Sequence, residues 1–109
     1  MIVTSYFAKY KKDNGVSIAL SPPSWFKGIT FHELNPTWDM LVKYKNDGDE
    51  QAYREAYHTL ILSKLDPQQV FDKLNGKVLL CWEKAGVFCH RRIVAEWLST
   101  ALNIDVPEL

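Results

Sequence analysis

The sequence has no excess of charge of either sign: thirteen basic side chains balance thirteen acidic ones. Non-specific attraction to nucleic acid or to an anionic membrane needs a basic surplus, so any such contact has to be local. Long apolar runs are missing too. The longest, such as Val78-Leu79-Leu80-Cys81-Trp82, falls far short of the roughly 20 residues that a spanning helix needs. The opening "MIVTSYFAKYKK" lacks the charged-then-apolar order of a signal peptide, so a cytoplasmic protein with no membrane partner is expected. Cysteine is scarce, with two residues; in a reducing compartment both are expected to stay as thiols, and a structural Cys81–Cys89 disulfide is the less favoured alternative. There is no internal repeat, low-complexity tract or linker, and neither a GxxxxGK(S/T) loop nor a GxGxxG turn, so nucleotide-triphosphate and dinucleotide folds have no support.

What is present is ordinary globular composition, 47% hydrophobic and 24% charged over 109 residues, enough for one core and one domain spanning 1–109. Ile2 to Ala8 reads as a strand, "KKDNG" turns the chain, and Val16 to Leu20 resumes an extended pattern, a spacing that suggests a hairpin. "SPPSWFKG" is a loop, since Pro22 and Pro23 remove two backbone donors. Trp38, Leu41, Val42 and Lys45 recur at helical spacing up to Asn46-Asp47-Gly48, and Tyr53, Tyr57, Leu60 and Ile61 form the stripe of a second helix. Trp38, Tyr53 and Tyr57 are read mainly as core. "DPQQ" starts a third helix, with Asp66 as cap, Pro67 in the first turn and Gln69 available to close a capping box.

Val78 to Trp82 is continuously apolar rather than alternating, the pattern of a central strand buried on both faces. After it, Ile93, Val94, Trp97, Leu98, Ala101 and Leu102 repeat at helical intervals, so a last helix begins near Cys89 or His90. The tail Asn103 to Leu109 is expected on the surface. Strands alternating with helices predict a small α/β domain, two- or three-layered, with a mostly parallel central sheet flanked by about four helices.

The junction "CWEKAGVFCHRR" therefore runs from strand to helix, where open α/β sheets place their ligands. The amides of the first helical turn and the guanidinium of Arg91 make an anion site, with Cys89 and His90 as candidate catalytic groups and Cys81, Glu83 and Trp25 as candidate ligand contacts. Each has a plainer reading. Cysteine is among the most buried residue types, Glu83 with Lys84 suits a solvated loop, and Trp25 in a Pro-rich loop can plug the core. A cluster of cations at a helix start costs about 0.3–1 kcal/mol, which favours a function for at least one of His90, Arg91 and Arg92. A cysteine-dependent phosphatase needs Arg six residues after its Cys, and Val87 stands there. Zinc usually takes four ligands, whereas Cys81, Cys89 and His90 supply three, with His32 or His58 needed from elsewhere, so no metal is expected.

On these residues, "LLCWEKAGVFCHRRIVAEWL" resembles the C-terminal signature of the domain-of-unknown-function family number 488, a buried strand ending Leu-Leu-Cys with a further Glu, a loop, Cys-His-Arg and a helix. The likeness extends more loosely to "SPPSWFKG", "LNPTWDMLVKYK" and "YREAYHTLILSKLDP". Longer relatives carry an Asp and an Arg at the end of the second strand, and "IALSPPS" has neither. The resemblance implies a small α/β domain of unassigned activity in the short form of the family.

The leading expectation is an anionic ligand, a nucleotide or a nucleic-acid phosphate, held at Cys81 to Arg92, with no cofactor specified. Two alternatives stand beside it: thiol or redox chemistry at Cys89 with Cys81 as resolving partner, and a non-catalytic module in which Glu83 or Glu96 neutralises the arginines.

Overall fold

Val78–Cys81 forms strand β4 and is buried along its whole length, with no residue more than 3% exposed. The computed structural model describes residues 1–84 and 86–109. Around β4 lie β1 (Val3–Tyr6), β2 (Gly15–Ser17) and β3 (Ile29–Thr30), in the order β1-β4-β2-β3. All pairings between these strands are parallel: β4 places Val78 beside both Val3 and Gly15, and β2 places Val16 beside Ile29. Gly15 allows this close approach, because a Cβ there would stand 2.7 Å from Leu80 Cδ1.

The hairpin suggested by Asn14-Gly15 does not form. β1 and β2 run in the same direction with β4 between them. Inserting the most apolar segment between two neighbours buries it on both edges and both faces, which a two-stranded ribbon cannot do.

Among the described residues, four α-helices follow the local signals. In α1 (Trp38–Asp47), the Thr37 side chain accepts from the Met40 amide, and Gly48, at φ +62°, ends the helix in the left-handed region. Asp49 caps α2 (Glu50–Leu60) by accepting from the Ala52 amide. Asp66 caps α3 (Pro67–Leu74) by accepting from the amides of Gln68 and Gln69, with Pro67 in the first turn as anticipated. The last helix, α4 (His90–Leu102), starts at Cys89 as its N-cap and stops at Asn103.

All four helices contribute to one core that includes Leu79 of β4: Met40 from α1, Tyr57 from α2, Leu74 from α3 and Leu98 from α4 belong to it. The opposite face is closed by loop residues: Val78 and Leu80 pack with Phe7 and Ala19, and Phe26 leans on them. The domain is thus a two-layer α/β structure with a parallel sheet. Among the described residues no helix is long and apolar enough to cross a membrane.

Two expectations about packing are corrected. Trp38 is 68% exposed, whereas Tyr53 and Tyr57 are buried. It is the first residue of α1, and the helix turns inward through Met40 instead. The tail does not merely lie on the surface either: Val106 is buried, Thr4 N–H donates to Pro107 O at 2.9 Å, and Leu109 N–H donates to Thr4 O at 2.8 Å. The tail therefore runs alongside β1 as a short parallel partner.

Candidate functional site

Cys81 is the last residue of β4, and Cys89 is the N-cap of α4. The Cys89 side chain makes no capping bond to the helix amides, so its sulfur is available to other groups. The two sulfurs are bonded, closing a disulfide between positions eight apart in sequence. The thiols expected to remain reduced are therefore joined, because the strand end and the helix start converge on one point.

His90 opens α4 and is buried. Its Nε2 lies 2.7 Å from the carbonyl of Ile18, which can only accept, so the ring proton sits on Nε2 and Nδ1 carries a lone pair. That Nδ1 lies 3.7 Å from the Cys89 sulfur. Burial holds the His90 pKa down at about 4; the Ile18 carbonyl opposes this and the positive charge of Arg91 reinforces it. The imidazole is neutral at neutral pH.

Arg91 is buried, its side chain only 1% exposed. Its Nη1 donates to Cys81 Sγ at 3.0 Å, while Nε and Nη2 grip the Glu108 carboxylate at 2.7 to 3.2 Å. Glu108 also accepts from the Thr4 hydroxyl. Burial pushes the Glu108 pKa up, but the bonds from Arg91 and Thr4 outweigh it and leave the carboxyl below its ordinary range. Arg92 is tied nearby, its Nη1 donating to Thr4 Oγ1 at 2.9 Å and to Val106 O at 3.0 Å. The cations crowded at the helix start are thus fastened to β1 and the tail.

A cleft of about 140 Å³ opens over this junction. Cys81, Cys89 and His90 line it together with Trp38, Trp82 and Glu83. Trp82 is half-exposed and fixed at the rim, with its Nε1 donating to Ser21 O at 2.8 Å. Partial burial raises the Glu83 pKa, and the charge of Arg91 opposes the rise.

The structure brings together Cys81, Glu83, Cys89 and His90, with Arg91 directly behind them. Trp25 is elsewhere. It lines a separate hollow of about 420 Å³ with Tyr10, Lys11 and Lys27, and Lys11 Nζ sits 3.8 Å above its ring. His32 and His58 are exposed on other elements. Among the described residues, the close metal-donor set is Cys81, Cys89 and His90, whose donor atoms lie within 4.8 Å of one another.

Sequence reasoning missed Glu108, Thr4 and the Ile18 carbonyl. Glu96, one of the two expected counter-charges, pairs with Arg54 at 2.7 Å instead. A signal for Glu108 does exist: the tail carries apolar Ile104, Val106 and Leu109, and the buried Val106 holds the neighbouring Glu108 carboxylate near the sheet.

Compared with known proteins, the chain matches no family model, no curated protein and no solved structure.

Proposed function

We propose that the chain is a thiol-active protein whose Cys89 and Cys81 interchange between dithiol and disulfide. The observation that carries this reading is the 3.0 Å contact from the buried Arg91 guanidinium to Cys81 Sγ. A guanidinium beside a sulfur favours thiolate over thiol, and a stabilised thiolate is the better leaving group in exchange. Cys89 is the more exposed of the two, at 7% against 1%, and faces the cleft. An external thiolate attacks Cys89 Sγ, the sulfur–sulfur bond breaks, and its electron pair goes to Cys81 Sγ beside Arg91. A second external thiol then attacks the mixed disulfide and leaves the protein as a dithiol and the reagent as its disulfide. In a cytoplasmic setting, which remains part of this proposal, a bonded cysteine pair is typically transient and catalytic or redox-sensing.

The nucleotide or nucleic-acid phosphate reading has less support. It needs Arg91 free to meet an anion, and three of the Arg91 contacts go to Glu108. Kinship with the domain-of-unknown-function family number 488 stays a proposal resting on the Cys-His-Arg signature.

The test is mixed-disulfide trapping with oxidised glutathione. Cys81→Ser is expected to accumulate glutathione on Cys89, Cys89→Ser to accumulate far less on the more deeply buried Cys81, and the parent to resolve to its internal disulfide. Two cysteines inert to both oxidised and reduced glutathione in the folded protein would overturn the reading.

A further inference from the structure

The oxidised pair accounts for the two sulfurs but leaves His90 Nδ1 without a task. Its lone pair faces the Cys89 sulfur from 3.7 Å, and His90, though buried, is among the residues lining the cleft. The other ring nitrogen is locked to a backbone carbonyl, the kind of hydrogen bond that orients metal-binding histidines and fixes their tautomer. The backbone spacing points the same way. The two Cα atoms are 7.4 Å apart, wider than the roughly 4.4–6.8 Å over which cysteines are usually bridged directly. Two thiolates bound to one ion through metal–sulfur bonds of about 2.3 Å stand farther apart than two bonded sulfurs, and the wider backbone spacing accommodates that.

We propose that Cys81, Cys89 and His90, once the cysteines are reduced, hold a zinc-class divalent cation whose fourth coordination position faces the Trp38–Trp82 cleft. This rests on the dithiol reading only in needing the cysteines as thiols. Two equivalents of an external thiol supply the electrons and leave as the external disulfide; the cation then displaces the two thiol protons. Charge closes within the buried site: two thiolates balance the divalent ion, and Glu108 balances Arg91. That neutrality matters because an uncompensated charge in a poorly solvated place is expensive. Nη1 of Arg91 would serve as a donor to the bound Cys81 sulfur, the outer-shell role that tunes thiolate ligands. Sulfur and imidazole donors select zinc, or cobalt as its spectroscopic stand-in, over magnesium and calcium, which prefer oxygen. Three protein ligands with an open fourth position is the arrangement of a reactive rather than a structural zinc centre.

The experiment is titration of the full chain, reduced and held without oxygen, with cobalt(II). Thiol counting and circular dichroism run alongside. One cobalt per chain is expected, with a thiolate-to-cobalt charge-transfer band in the near ultraviolet and visible bands of tetrahedral intensity. Zinc should displace it, and magnesium should not. Cys89→Ser should weaken cobalt binding more than about tenfold and reduce the charge-transfer band. His90→Gln, which keeps an amide to donate to the Ile18 carbonyl, should shift the visible bands with the sulfur band retained. A folded protein with two countable thiols and no charge-transfer band overturns the metal site and leaves the dithiol reading intact. Cysteines that resist reduction in the folded protein overturn both. Visible bands unchanged in a folded His90→Gln variant remove His90 from the ligand set and with it the proposed site.

Discussion

Arg91 and Glu108 meet in a two-pronged ion pair seventeen residues apart, with the arginine side chain 1% exposed and the carboxylate 19%. The pair ties the first turn of α4 to the tail that runs beside β1. Removing one partner leaves the other as a buried, uncompensated charge, a loss that typically costs about 3–5 kcal/mol when both are fully enclosed. Glu108→Ala is expected to lower unfolding free energy by about 3 kcal/mol in urea titration, somewhat less than the enclosed limit because the carboxylate reaches solvent. A loss under about 0.5 kcal/mol would mean that the tail does not hold Arg91 in solution.

Replacing both partners at once has a different outcome. Arg91→Met with Glu108→Gln keeps similar volume and removes both charges, so its stability should lie within about 1 kcal/mol of the parent. The thiol chemistry should still suffer, since Cys81 loses its only charged donor among the described contacts. Reduction of the disulfide by excess glutathione is expected to slow by roughly three- to tenfold. Equal rates in the two proteins, measured at one pH by quenched thiol alkylation, would separate Arg91 from the chemistry.

Acid should weaken the fold in two overlapping steps. His90 stays neutral in the folded chain down to about 4, whereas its ordinary value is 6.5. Between those values the unfolded chain takes up a proton that the folded one refuses, so stability falls as pH drops through that window, by roughly 3 kcal/mol in full. The Glu108 carboxyl lies below its ordinary 4.5, so its contribution is complete above that value and disappears as pH falls further. Urea midpoints measured from neutral pH downward should therefore decline steadily. The His90→Gln variant should lose the upper part of this slope and keep the lower part.

Tyr57 offers a check on the helical layer. Its ring is fully buried, and its hydroxyl donates to Leu34 O at 2.6 Å. Tyr57→Phe leaves that carbonyl without a partner and should cost about 1–3 kcal/mol, with an unchanged dependence on denaturant. An unchanged urea midpoint would mean that water replaces the hydroxyl.

The local grammar of the chain was readable because each signal has a local cause. Asp66-Pro67 caps α3, Gly48 closes α1, and the unbroken apolar run from Val78 marks the central strand. Partnership across the sheet was not readable. Whether Ile2–Ala8 pairs with Val16 or with Val78 depends on which arrangement buries β4, a non-local quantity that the Asn14-Gly15 turn does not encode. The site divides in the same way. The convergence of Cys81, Cys89 and His90 follows from a strand ending where a helix begins, so adjacency in sequence carries it. The Glu108 grip on Arg91 and the Ile18 carbonyl on His90 come from segments seventeen and seventy-two residues away, and nothing in the motif names them. Trp25 was drawn to the site by its chemistry alone, and the fold sends it to the Lys11 hollow.

The short tail also changes what the sheet shows to its surroundings. A parallel sheet with a bare outer strand offers a template on which another chain can add itself, the first step toward fibrous assembly. Here Pro107 O and the Leu109 amide occupy the outward amide and carbonyl of Thr4. On the far side β3 is two residues long, too short a rail to recruit a neighbour.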